Sequence, residues 1–278
     1  MAVLRRPAPG LRSGAMTGVR VLAKPAGITS HDVVAAVRRS LPRGTRVGHA
    51  GTLDPFATGV LLVLLGRATR AQRWLMALPK TYRAVARLGW LSDTGDRDGA
   101  LQRTGRVPAE PRLPVGELMQ VPPAYSAVRV GGRRAYDLAR RGEDVTPQAR
   151  PVTVHRAELL WHEDERAAFE LEVSSGTYVR SLIADLGDAY CEELERTAVG
   201  GFRLEDADPD RTIPLEEALA FLPERALGGG EAEDVRHGRR LAGASEHPAL
   251  RLTHEGRLVA IGVPDGEATK PDVVFDPA

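Results

Sequence analysis

Gly48-His49-Ala50-Gly51-Thr52-Leu53-Asp54-Pro55-Phe56-Ala57-Thr58-Gly59 runs directly into Val60-Leu61-Leu62-Val63-Leu64-Leu65. The six apolar residues have the length and branching of a strand buried on both faces. They make up about a third of the roughly 18–20 residues needed to cross a bilayer. The glycine-bracketed turn ahead of them sets a single carboxylate at the strand's entrance. Asp54 is one of only two acidic residues among the first ninety, Asp32 being the other, against fifteen Lys and Arg. A lone anion amid that much positive charge invites a chemical explanation.

The same asymmetry extends along the whole chain. The formal net charge of 278 residues is only +1, yet residues 1–90 carry +13 and residues 91–278 carry −12. Clustered arginine without matching acid is what a phosphate-binding surface needs, because each neutralised phosphate releases counterions. Nucleic acid is therefore the leading partner, with an arginine-favouring composition as the alternative source of the excess. With 42% hydrophobic residues, the chain can bury one large core and one small one. Met1–Met16 carries Arg5, Arg6 and Arg12 without an apolar stretch, so it does not read as a secretory signal. It reads as a disordered basic tail, or as a misassigned start upstream of Met16. Cys191 is the sole cysteine, which leaves no internal disulfide or multi-cysteine metal site and fits a reducing, cytoplasmic setting.

Outward from the Asp54 turn, Val19–Ala23 reads as a strand. Thr29 or Ser30 can cap a helix that places Val33, Val34, Val37 and Leu41 on one face. Residues 82–88 alternate, so Tyr82 shares a face with Ala84, Ala86 and Leu88. Asp93-Thr94-Gly95-Asp96-Arg97-Asp98-Gly99 superficially resembles a calcium loop, but the expected closing Glu is missing and a metal is not expected. Val121–Gly142 mixes Tyr125 and Tyr136 with Arg129, Arg133, Arg134, Arg140 and Arg141, a composition that suits either stacked RNA bases or an ordinary solvated hairpin and helix. After Ser174-Ser175-Gly176-Thr177, Val179, Leu182, Ile183 and Leu186 have helical spacing, which leaves Tyr178 and Arg180 in the first turn, off the apolar face. A cation there opposes the helix dipole, and a partner carboxylate would account for it. Gly228-Gly229-Gly230 marks a boundary before a small, mainly β module.

Motifs for nucleotide hydrolysis, dinucleotide binding, zinc proteolysis and the serine nucleophile elbow are all absent. What the sequence does hold resembles the TruB family of tRNA pseudouridine synthases over nearly its whole length. The resemblance rests on Lys24-Pro25-x-Gly27-x-Thr29-Ser30, Gly48-His49-Ala50-Gly51-Thr52-Leu53-Asp54-Pro55, Tyr82 in its strand, Ser174-Ser175-Gly176-Thr177-Tyr178-Val179-Arg180, and Arg196-Thr197-Ala198-Val199-Gly200. It implies an α+β fold with a large mixed, mainly antiparallel sheet over 17–227, after the 1–16 tail, and a small β-rich PUA-like RNA-binding domain over 228–278. It also implies Asp54 as the essential carboxylate, Tyr82 as the aromatic group against the target base, and Arg180 as the ion-pair partner of Asp54. Tyr178 would hydrogen-bond within the site, His49 would enter the T loop where the flipped nucleotide was, and Lys24 would have a structural or RNA-positioning role.

The implied reaction isomerises uridine 55 in the tRNA T loop, with no metal, ATP or organic cofactor. The partner is the tRNA T stem-loop, with no membrane and no obligate protein partner, and the expected state is a monomer. Asp54 would act as nucleophile or base, attacking C1′, adding to C6 or removing the C2′ proton. Arg180 would hold it ionised. One departure from the family pattern lies before Arg196, where about five residues are missing and Glu195 replaces an arginine. Taken singly, Asp54 could equally be a turn residue or cap, His49 a loop hydrogen-bonder, Tyr82 core and Arg180 a surface charge. A catalytically silent RNA-binding or RNA-folding protein and a uracil-releasing glycosylase are the competing functions.

Overall fold

The computed structural model describes residues 17–276 except 127, 140 and 144; the expected tail over 1–16 and Arg140 lie outside them. Seven strands form the body of a nine-stranded sheet: β1 (Gly18–Lys24), β2 (Thr58–Leu65), β3 (Lys80–Leu88), β4 (Gly116–Gln120), β5 (Arg150–Glu163), β6 (Arg166–Val173) and β7 (Ala189–Val199). Their spatial order is β1-β2-β7-β3-β6-β5-β4, with Val47–His49 paired to β2 and Phe202–Arg203 paired to β7. Among the described residues the pairings in this sheet are antiparallel except one. Glu195 and Arg196 of β7 run parallel to Thr58 and Gly59 of β2. This is the mixed, mainly antiparallel sheet expected.

The apolar run at 60–65 is buried throughout because both of its faces are covered. Leu61, Val63 and Leu65 meet Val34 and Val37 of helix α1 (Ser30–Ser40) and Leu41, its C-cap. Val60, Leu62 and Leu64 turn to the opposite side, against Val19, Leu75 and Leu219. Thr29 caps α1: its hydroxyl accepts from Asp32 N at 3.1 Å, and Asp32 Oδ2 accepts from Thr29 N at 2.9 Å, a reciprocal box. Of the two acids in the first ninety residues, Asp32 is thus a cap. Helices α2 (Gln72–Ala77) and α3 (Val179–Ala184) lead into β3 and β7.

A second, five-stranded sheet follows in the order Glu224–Ala226, Leu250–His254, Arg257–Asp265, Ala268–Val274, Leu241–Ala242. It starts ahead of the 227/228 boundary expected from the glycine run, because Glu224–Ala226 pairs in parallel with Arg251–Thr253. That non-local pairing has no local sequence signal. Gly228 instead caps a helix over Gly229–Arg236, whose Ala232 and Val235 pack on Leu241, Leu252 and Val259. The two sheets share one core, in which Leu258, Ile261 and Phe275 join Val19, Leu62 and Leu64.

Candidate active site

Asp54 stands on the loop between Val47–His49 and β2. Its neighbours Leu53 and Phe56 are buried in the core formed by β3, β6 and α3, and this anchors the loop from both sides. Three polar clamps hold the backbone. Leu53 N donates to Ser30 Oγ at 2.9 Å. Lys24 Nζ donates to the carbonyls of Pro25, Ile28 and Pro55 at 2.8, 2.8 and 3.2 Å. Arg196 donates to the carbonyls of Val60, Gly51 and Thr52 at 2.8, 3.1 and 3.4 Å. Gly59 ends the loop at φ +106, where a Cβ would come within 2.2 Å of the Arg196 carbonyl oxygen. Only glycine fits there.

Arg180 enters from the first turn of α3 and is almost fully buried. Its Nε lies 2.9 Å from Asp54 Oδ2, although the N–H is not aligned with that oxygen, so the contact is chiefly Coulombic. Nη1 donates to Asp96 Oδ2 at 2.9 Å and to the Thr94 carbonyl at 2.7 Å, and Nη2 donates to the Tyr125 carbonyl at 2.9 Å. Asp96 is buried in turn, its Oδ1 accepting from Thr94 Oγ1 at 2.6 Å and Asp98 N at 3.1 Å. One guanidinium therefore serves two carboxylates.

That sharing corrects the electrostatics expected from the sequence. Arg180 pulls the Asp54 pKa down, as does Lys24, but burial dominates and Asp96 adds to it, so the net shift is upward from the ordinary carboxylate value. The Asp54 side chain still keeps 31% of its surface open, because it faces a cavity. The cavity measures about 360 Å³, and its wall includes Asp54, Lys80, Tyr82, Tyr178, Arg180 and Arg196. That is within the roughly 300–1,000 Å³ of small-ligand sites. Ser126 and Val128 also line it, so the Val121–Gly142 segment covers the site from one side.

The structure brings Asp54, Tyr82, Tyr178 and Arg180 to one wall. Tyr82 is buried on β3, in register with Leu171 of β6 and Arg196 of β7. Tyr178 is pinned by its backbone, its N donating to Gln120 Oε1 at 2.7 Å and its carbonyl accepting from Nε2 at 3.0 Å. Its ring lies 5.2 Å from the Arg150 guanidinium. Lys24 is behind the wall as a clamp; burial above all lowers its pKa to about 8, against the pull of Asp54. His49 is not on the wall. Its ring sits edge-on to His31 at 5.5 Å, and burial, then His31 and Arg196, lower its pKa.

Three site residues escaped the sequence reading. Asp96 lies in the very segment read as a failed calcium loop, and no local feature distinguishes it from Asp93 or Asp98. Arg196 was part of a motif but had no role assigned to it. Lys80 was legible: it is in phase with Tyr82, Ala84, Ala86 and Leu88 on the buried face. Its Nζ donates to the carbonyls of Met76 and Leu78, and burial and Arg196 lower its pKa to about 8.

Residues 38–179 match the family described as TruB family pseudouridylate synthase, N-terminal domain. The chain belongs to the TruB family. It is 38% identical over 301 residues to the tRNA pseudouridine synthase B of Arthrobacter sp. (strain FB24), covering 95% of this chain and 98% of the relative. It is 41% identical over 288 residues to the protein of that name from Thermobifida fusca (strain YX), covering 93% and 98%. Among solved structures, an H/ACA RNP bound to a substrate RNA containing 2′-deoxyuridine matches with a TM-score of 0.70 and 26% identity, over 94% of this chain and 86% of that one. A Cbf5-Nop10-Gar1 complex matches equally in TM-score at 27% identity, over 94% and 85%. As a TruB member, the chain isomerises uridine to pseudouridine.

Proposed function

We propose that the substrate is tRNA and the target is uridine 55 of its T loop, modified in the cytoplasm by a monomer. The observation that supports this reading is the Asp54–Arg180 pair at 2.9 Å, on the wall of a nucleoside-sized cavity with Tyr82 beside it, in a chain related over nearly its full length to tRNA pseudouridine synthase B. The target must leave its stack to reach Asp54, and the unstacking costs a few kcal/mol. His49 offsets part of that cost by filling the vacated position, and it does so as a neutral ring, since burial and His31 both oppose its protonation.

The ionised Asp54 acts on the sugar or the pyrimidine ring as nucleophile or base. The N1–C1′ bond breaks with its electron pair going to N1. The base turns within the cavity while Tyr82 packs against it, and C5 joins C1′. The proton displaced from C5 passes to Tyr82 acting as base, and N1 takes up a proton, so the product is an isomer. Arg180 keeps Asp54 directed at the reacting atoms, with Asp96 holding the far side of the guanidinium. The five-stranded sheet supplies a PUA-like RNA-binding module, taken to begin at Glu224.

Tritium at C5 of the target uridine provides the test. Isomerisation releases it without free uracil, base hydrolysis yields free uracil, and a silent RNA binder releases neither. Mapping the product nucleotide in tRNA tests the position; a product elsewhere than the T loop overturns the specificity.

A further inference from the structure

The backbone of His49 is fixed by bonds that its ring does not share. His49 ends the short strand Val47–His49, in register with Val63 of β2, and its carbonyl accepts from Gln72 Nε2 at 2.8 Å. On the ring, Nδ1 is buried without an aligned hydrogen-bond partner, and the Gly51 backbone is the weakest of the influences on its proton. The aromatic neighbour of the ring is His31, with centroids 5.5 Å apart and planes at 80°, an edge-on contact. His31 is exposed and lies in the first turn of α1. That turn is rigid for two reasons. The Thr29–Asp32 box closes it, and the buried Ser30 Oγ accepts from Leu53 N at 2.9 Å and donates to the Leu53 carbonyl at 3.3 Å. One helical turn therefore touches the Asp54 loop twice, at Leu53 through Ser30 and at His49 through His31.

A side chain that moves into a vacated stack gives up rotamers on arrival, and holding it in place beforehand removes that cost. An edge-to-face ring pair supplies such a hold without occupying the ring nitrogens. We propose that His31 is a positioning residue for the reaction, holding the His49 ring in the direction from which it fills the place of the departing uridine. Leu53 directly precedes Asp54, so the same helical turn sets both the ring that replaces the base and the carboxylate that receives it. The inference rests on the reading of His49 as the side chain that fills the vacated position.

The test is single-turnover tritium release from tRNA by the full chain at saturating enzyme, with wild type, H31A, H31F, H49A and H31A/H49A compared. H31A slows release about 2- to 10-fold, the range of one edge-to-face pair. Its Tm stays within about 2 °C of wild type, as expected of an exposed residue. H31F keeps a ring edge at the contact and stays within about twofold of wild type. The double variant H31A/H49A releases tritium at the rate of H49A, because without the His49 ring His31 has nothing to hold. Wild-type release by H31A overturns the proposal, and so does an H31F enzyme as slow as H31A. An H31A loss that persists in full in the H49A background also overturns it, by making His31 act on the RNA directly. A wild-type rate in H49A is a separate failure: it sinks the reading of His49 itself, whereas a slow H49A beside a normal H31A sinks only the role of His31.

Discussion

Replacing Asp96 by Asn tests the shared guanidinium most directly. The substitution keeps the shape and an acceptor 2.9 Å from Arg180 Nη1 but removes the second anion. A hydrogen bond to a charged group contributes about 1.5–3 kcal/mol when both partners are ionised and about 1 kcal/mol less when one is neutral. If that difference is felt where Asp54 meets the sugar, kcat falls about tenfold. Asp96→Ala goes further: it leaves a buried guanidinium N–H facing empty space, at a cost of about 3–5 kcal/mol in folding stability. The pH profile separates electrostatics from mere loosening. Asp96 raises the Asp54 pKa, so removing its charge lowers that pKa. Activity requires the carboxylate, so the acid limb of kcat/KM for D96N moves to lower pH. The assay is single-turnover tritium release across pH 4–8 (about that range suffices, since the raised Asp54 value lies above the ordinary carboxylate near 3.8). A slower D96N enzyme with an unmoved or upward-shifted acid limb would refute the argument.

Asp54→Asn abolishes tritium release, by at least about 10³-fold, while tRNA affinity stays within a few-fold because phosphate contacts dominate binding; filter binding beside the release assay checks both. Gly59→Ala places a Cβ 2.2 Å from the Arg196 carbonyl at φ +106, so it destabilises by about 3 kcal/mol and lowers Tm by about 10 °C, measured by thermal melting. Glu195→Arg leaves the saturating rate within about twofold, because Glu195 faces the surface opposite the catalytic cavity. It also lowers stability by up to about 1 kcal/mol, because Arg83 is its cross-strand partner; a tenfold slower enzyme would place Glu195 in the site after all.

What could be read in advance divides along a physical line. β2 was legible because both of its faces are core, which leaves an uninterrupted apolar run. β3 was legible because one face is core, and Tyr82 followed from the alternation. α1 announced itself through its cap at Thr29. Asp96 was not legible, since its role depends on a turn between two short strands, Trp90–Ser92 and Leu101–Arg103, being carried against Arg180 from 84 residues away. The start of the second sheet was hidden for the same reason: Glu224–Ala226 is a strand only because Leu250–His254 lies beside it. Lys80 was in plain view and overlooked, because a charged residue in phase with an apolar face breaks the pattern by which strands are recognised.

Lys80 belongs to a set whose common property has a measurable result. Lys24, Lys80, Arg180 and Arg196 are all buried around the Asp54 loop, and backbone carbonyls supply most of their partners. Carbonyls satisfy donors without cancelling charge, so the four cations face only two carboxylates, Asp54 and Asp96, and the site keeps a net positive field suited to the negative charge that builds on uracil as N1–C1′ breaks. Two of the four are lysines with pKa values lowered to about 8 by burial, so the field weakens as pH rises through 8. The release rate at saturating tRNA therefore declines between pH 7.5 and 9, about an interval centred on those lysines, with no matching loss of fold. Folded-state values below the ordinary 10.5 mean that the unfolded chain binds more protons above pH 8, so these two groups make stability rise with pH there. Cys191, whose thiol burial pushes up, opposes this only above its ordinary value near 9. Thermal melting beside the rate assay decides the matter: a decline in rate that tracks a falling Tm would mean that the protein is unfolding and that the lysine field is not its cause.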